Sequence, residues 1–287
     1  GGTGSPTWRV DQPAATLWYH PHPHGRTESH VYRGLAGVFL VTDEDSAALP
    51  LPAEYGVDDV PVIVQDKRFS GGRLDDRPSF GGVGILGDTV VVNGTLGPYL
   101  DVTTERVRLR LLNASTGRSY DFGFADGREF ALVGTDGGLL ERPHPTTGIM
   151  LSPGERAEIV VTMRPGERVV LRSNPPDLKG GLMKRFSGGD DTLDILELRA
   201  ADRLAPRPEV PRRLVEVPEP DEPGLTRDFE LTDRRINGKL MDMNRIDFTA
   251  DGGATELWRA YNADQAPHNF HVHGLSFQVR SVGGAPP

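Results

Sequence analysis

The stretch "RVRLRLL" (106–112) decides the fold class. Val107, Leu109 and Leu111 alternate with Arg108 and Arg110, the period of two that belongs to a half-buried strand. Runs of the same kind recur along the chain: "GVFLV" (37–41), "VPVIV" (60–64), "TVVV" (89–92), "AEIVV" (157–161), "RVVLRS" (168–173), "LDILEL" (193–198) and "SFQVRSV" (276–282). Gly, Pro, Asp and Asn punctuate them. No long amphipathic helix is visible, and residues 46–53 are broken by Pro50 and Pro52. Many short strands with turn signals between them predict an all-β chain of Greek-key sandwiches or barrels.

The 287 residues suffice for about two ordinary domains and a large core. A content of 35 Gly and 24 Pro fits a turn-rich chain, and no apolar run approaches the roughly 18 residues of a membrane helix. The net charge is 32 − 41 = −9 with signs interspersed, which gives no reason to expect a nucleic-acid partner. There is no cysteine, so disulfides and thiolate ligands are excluded. The first residues, "GGTGSPTWRV", lack the charged start and apolar core of an export signal.

Prolines concentrate at 206, 208, 211, 218, 220 and 223 among charged residues, so residues 204–224 read as a semi-rigid extended linker. A weaker break falls at 43–56. The expected division is 1–49, 50–203 and 225–287. The two outer pieces fall short of the about 100 residues of a β-sandwich and are expected to be partial domains around one complete one.

Eight histidines stand at 20, 22, 24, 30, 144, 268, 271 and 273. In "LWYHPHPHGRTESH" (17–30), His20, His22 and His24 alternate with Pro21 and Pro23. An extended strand would place the three imidazoles on one face, stiffened by prolines that suit a strand edge. Neutral imidazole is the commonest metal ligand; a solvated His-rich loop, or core histidines satisfied by hydrogen bonds, is the other reading. In "HNFHVHG" (268–274), His271 and His273 would share a strand face while His268 points elsewhere. Should the clusters meet, His20, His22, His271 and His273 would offer four nitrogen ligands, suited to Zn, Cu, Fe or Ni.

Taken with their surroundings, "TLWYHPHPHG" (16–25), "YRGLAGVFLVTDE" (32–44) and "HNFHVHG" resemble the second and third copper motifs of the multicopper oxidases, the laccase and ascorbate oxidase family. "DDVPVIVQDKRFS" (58–70), "LRLLNAS" (109–115), "DGGLL" (136–140), "LSPGERAEIVV" (151–161) and "INGKLMDMN" (236–244) are similar to its bacterial three-domain branch, the periplasmic cuprous oxidases and bilirubin-oxidase-like laccases. The resemblance implies cupredoxin-like domains with a trinuclear copper cluster between the first and third. It implies His20 and His22 on the type 3 pair, His271 on type 2, His273 on type 3, and His268 on type 1 copper. His24 would stand behind the ligands and orient them, while His30 and His144 match no ligand. Implied also are an extracytoplasmic location, and the oxidation of a phenol or Cu(I) coupled to four-electron reduction of O2 to water.

Asp242 and Met243 in "LMDMN" resemble a segment that contributes to a Cu(I) substrate site, and a thioether suits Cu(I); a plain turn is the alternative. Asp136, Glu155 and Glu158 are expected to hold turns and strand edges, and Trp18 and Tyr19 to pack in the core. "NGT" (93–95) and "NAS" (113–115) fit glycosylation sequons. A type 1 site with a Cys thiolate is impossible without cysteine, and the first and last family motifs are not in this chain. It is therefore expected to be an internal fragment of a larger oxidase, inactive alone, with incomplete domains open to pairing with another chain. Two other functions compete. One is a non-enzymatic periplasmic protein of the cell-division-factor kind, whose members lack the ligand histidines. The other is a zinc hydrolase, for which no "HExxH" is present.

Overall fold

The computed structural model describes residues 4–79, 84–178 and 181–287. Strand makes up 42% of the chain and helix 6%, so the molecule is all-β. Its centre is a sandwich of a five-stranded and a seven-stranded sheet. Within the seven-stranded sheet, Arg106–Asn113 lies between Asp59–Lys67, to which it runs parallel, and Arg156–Thr162, to which it runs antiparallel. Within the other, Arg168–Asn174 lies between Tyr120–Phe124 and Leu193–Ala205. Val107, Leu109, Leu111, Tyr120, Phe122, Ile159, Leu171 and Leu198 fill the space between the sheets at essentially zero exposure. Each fully buried leucine there contributes roughly 2 kcal/mol relative to an exposed one.

The alternation in 106–112 is confirmed on its apolar side and corrected on its polar side. Arg108 and Arg110 are each only 6% exposed. The outer face of their sheet is covered by the residues that lead into the first histidine motif, so both guanidinium groups are paired with carboxylates instead of water. Arg110 holds Asp59 at 2.6 and 2.7 Å and Glu158 at 2.9 Å, and Arg108 also donates to Glu158. Glu158, at 1% exposure, is thus a buried hub rather than an edge residue.

Two small sheets flank the sandwich. Ala15–Tyr19 pairs antiparallel with Gly37–Val41, and a four-stranded sheet carries Leu225–Thr232 parallel to Glu256–Asn262. Gly138, at φ +122°, lets the central domain approach the first piece closely: a Cβ there would lie 2.6 Å from the Ala14 carbonyl. The helices Thr27–Tyr32 and Glu44–Ala48 are short, the second closed by a capping box in which Asp43 accepts the Ser46 N–H at 2.7 Å.

One strand expectation differs from the structure. Residues 276–282 pair with no neighbouring strand: Gln278 donates to the Pro218 carbonyl and Arg280 pairs with Glu219, leaving only a bridge from Val282 to Ala285. The proline-rich segment lies along the sandwich. Its Leu214 is buried beside Leu51, Val133 and Val160, and its N–H donates to Glu141 at 2.8 Å. Asn113 of the second sequon is fully buried, its amide donating to the Arg118 and Leu151 carbonyls, so it has no free nitrogen for a glycan.

Candidate metal centre

Thr16 anchors the first histidine motif. Its hydroxyl donates to Glu158 at 2.5 Å and accepts from Arg110 at 2.9 Å, while Arg156 donates to its carbonyl at 3.0 Å. From that fixed point the strand runs to Tyr19 and stops, because Pro21 and Pro23 have no N–H to continue a ladder. His20, His22 and His24 are therefore not on a strand, which corrects the sequence expectation. They form a row nonetheless: ring centroids are 5.6 Å apart for His20 and His22 and 6.1 Å for His22 and His24. His20 Nδ1 lies 3.0 Å from the Pro21 carbonyl, which can only accept. The proton is thus held on Nδ1 and the Nε2 lone pair is left for a ligand. The Trp18 ring packs against His20 at 4.3 Å, half-buried beside the site rather than inside a core.

The second motif follows the strand Glu256–Asn262 as irregular chain, so His271 and His273 share no strand face either. Asp264 organises its start. It accepts the backbone N–H of Asp233 at 2.5 Å, that of Ala266 at 2.8 Å and the ring of His268 at 3.0 Å. These donors, the Asp233 amide first, hold its carboxyl down at about 2. With Nε2 of His268 donating to Asp264, Nδ1 is the nitrogen open to a metal. The amide of Asn269 then donates to Ser152 Oγ at 2.8 Å and to the Pro153 carbonyl at 3.0 Å, docking the motif on the central sandwich.

The two motifs meet. His273 stands edge-on to His22 with centroids 5.7 Å apart, and His271 is perpendicular to His273 at 5.7 Å. His20, His22, His273 and His271 thus make one continuous array across the boundary between the outer pieces. Among the described residues no three His, Asp or Glu side chains converge on a single point as one ion requires. The array is a set of imidazole pairs, two from each motif, as half of a polynuclear all-nitrogen centre would be. The all-imidazole donor set suits copper, as it suits Zn, Fe or Ni.

Other singled-out residues lie outside the array. His24 stands one ring beyond His22 and is exposed. His30 is on the helix Thr27–Tyr32, with Nδ1 buried and unpartnered among the described residues. His144 is exposed on the strand Gly138–Thr146. Asp242 accepts the Asn244 N–H at 2.9 Å in an exposed turn, and Met243 is 64% exposed. Asp136 accepts the Arg156 N–H at 2.7 Å. Burial pushes its carboxyl up, against the pull of Arg156 and of nearby His271. A cleft of about 570 Å³ opens beside His20, walled by Trp18, Val31, Thr116, Pro153 and Arg234. Sequence reasoning missed Asp264 and Asn269. The four-residue spacing from Asp264 to His268 was a readable signal, whereas nothing in the pattern marked Asn269.

Three family models described as multicopper oxidase match the chain, at residues 1–46, 68–172 and 214–287. A protein named cell division protein FtsP from Rahnella is 42% identical over 99% of this chain and 61% of its own length. The chain thus spans about three fifths of the curated relatives it matches. A bacterial laccase-like multicopper oxidase CueO from Ochrobactrum, described as having oxidase activity towards lignin model compounds and lignosulfonate, superposes with TM-score 0.87 at 32% identity. That match covers 98% of this chain and 66% of the other. The 2F4 variant of the multicopper oxidase McoA from Aquifex aeolicus superposes with TM-score 0.73 at 35% identity, over 82% and 53% of the two chains.

Proposed function

The chain belongs to the multicopper oxidase family, and on that premise we propose that it is a copper-binding part of an extracytoplasmic oxidase. His20, His22, His271 and His273 would hold half of a trinuclear cluster, and His268 a type 1 copper. The observation that carries this reading is the contact of His22 with His273, which joins the two motifs into one array. Copper bound there would supply one-electron redox chemistry and a place to reduce O2, with a phenol or Cu(I) as the electron source. The chain's own residues orient the ligands: the Pro21 carbonyl fixes the His20 tautomer and Asp264 fixes that of His268. Asp242 and Met243 would face the Cu(I) substrate.

A second reading follows from the relatives named cell division protein FtsP, which match nearly the whole chain. In that reading the fold serves a periplasmic division role without copper chemistry. The test is copper loading of the full-length gene product. A full complement of copper, blue absorbance and O2 consumption with a phenol support the oxidase. A colourless protein that stays copper-free, in cells whose division fails when it is deleted, supports the other. Residues 1–287 alone are expected to oxidise little, because without cysteine they hold no type 1 entry port.

A further inference from the structure

We propose that Asn269 is a positioning residue that fixes the distance between the two histidine motifs by locking the second onto the turn at 152–156. The proposal rests on the copper reading above and deepens it. From Asp264 to Gly274 the chain lies on no strand; Phe270 packs on Phe229 and Trp258 of the small sheet, while His271 and His273 are both exposed. The Asn269 amide is the side chain that spans from this loop to the sandwich, with both of its N–H groups used.

The turn it meets is itself held rigid. Ser152 Oγ donates to Glu155 at 2.6 Å, so its lone pairs face Asn269. The Gly154 N–H donates to Asn113, a fully buried residue, at 2.8 Å. Arg156 donates to the Gly154 carbonyl and to the Thr16 carbonyl, each at 3.0 Å. The same five residues therefore grip the chain four positions before His20 and one position after His268. They act as a ruler between the motifs. An amide is the group this docking requires, since both partners present lone pairs. A carboxylate at 269 would set negative charge against the Pro153 carbonyl and Glu155.

The test uses the chain in metal-free and Co(II)-loaded form, comparing wild type with Asn269→Ala, Asn269→Asp and Ser152→Ala. Amide hydrogen exchange in 268–274 is expected to rise about tenfold in Asn269→Ala and further in Asn269→Asp, with 106–113 unchanged as proof of an intact fold. Co(II) affinity, read from its d–d absorption, is expected to fall about 10- to 100-fold in Asn269→Ala, the range for groups that orient ligands. Adding Ser152→Ala to Asn269→Ala should cost less than the sum of the two single changes. Wild-type exchange and affinity in Asn269→Ala would overturn the proposal and leave the copper reading standing. The exchange experiment needs no metal, so it decides the role of Asn269 independently; a full-length gene product that takes up no copper overturns the copper reading instead.

Discussion

The imidazole rings of His22 and His273 meet edge to face, centroids 5.7 Å apart, although they lie near opposite ends of the chain. Neither is brought there by a strand of its own. Each is delivered by an irregular loop whose root is tied to the central sandwich, Thr16 to Glu158 on one side and Asn269 to Ser152 on the other. The meeting of the two histidine motifs is therefore set by polar contacts with the central sandwich.

Replacing His22 or His273 by alanine is expected to lower copper affinity by at least about tenfold, since even groups that only orient ligands are worth that much. His144→Ala, at an exposed site away from the array, should change nothing. Isothermal titration of copper into the three variants checks this; equal affinity in His22→Ala and wild type would remove the array from the metal site.

Glu158→Ala should destabilise the chain by about 3 to 5 kcal/mol, because it leaves Arg108 and Arg110 buried with a lost partner. Urea unfolding measures the loss. Thr16→Val removes two hydrogen bonds, one to Glu158 and one from Arg110, and should cost about 1 to 3 kcal/mol, while loosening the first histidine motif.

Lys67 is buried over the Tyr32 ring, with Tyr32 as its carbonyl acceptor, and burial pulls its ammonium down to about 8. The folded chain thus loses this proton before the unfolded chain does, so stability rises with pH from about 8 to 10.5 and the penalty is complete below 8. The gain is on the order of 2 kcal/mol after allowance for partial hydration. Unfolding of wild type and Lys67→Met at pH 7, 9 and 10.5 checks it: the rise should be missing from the variant.

Asp264 gives a slope of the same sign at acid pH, but as a group that stabilises when charged. Its carboxyl is held at about 2 by the Asp233 amide and by His268. Its contribution to stability is present above the ordinary value near 3.9 and is lost as pH falls towards 2. Asp264→Asn should flatten the acid limb of the stability curve between pH 4 and 2. It should also release His268 from its tautomer, visible in nitrogen-15 spectra of the ring.

Most of the fold was legible because buried strands impose a period of two on local sequence, as in 106–112 and 157–161. What covers the second face of such a strand is not local. The arginines at 108 and 110 look solvent-facing by alternation, and only the docking of residues 14–17 buries them. The histidine spacing marked a row of imidazoles, but Pro21 and Pro23 end the strand there, so the rings align by loop packing rather than by pleat. Residues 276–282 alternate like a strand, yet Gln278 and Arg280 spend that alternation on Pro218 and Glu219. Asn269 left no trace at all, because a single docking amide has no period.

Thr16 finds its acceptor 142 residues downstream. During translation the first histidines therefore emerge well before the sheet that seats them exists, by roughly 10 s at ordinary ribosomal speed. Throughout that interval the nascent chain carries an imidazole-rich ribbon whose anchor has no partner yet.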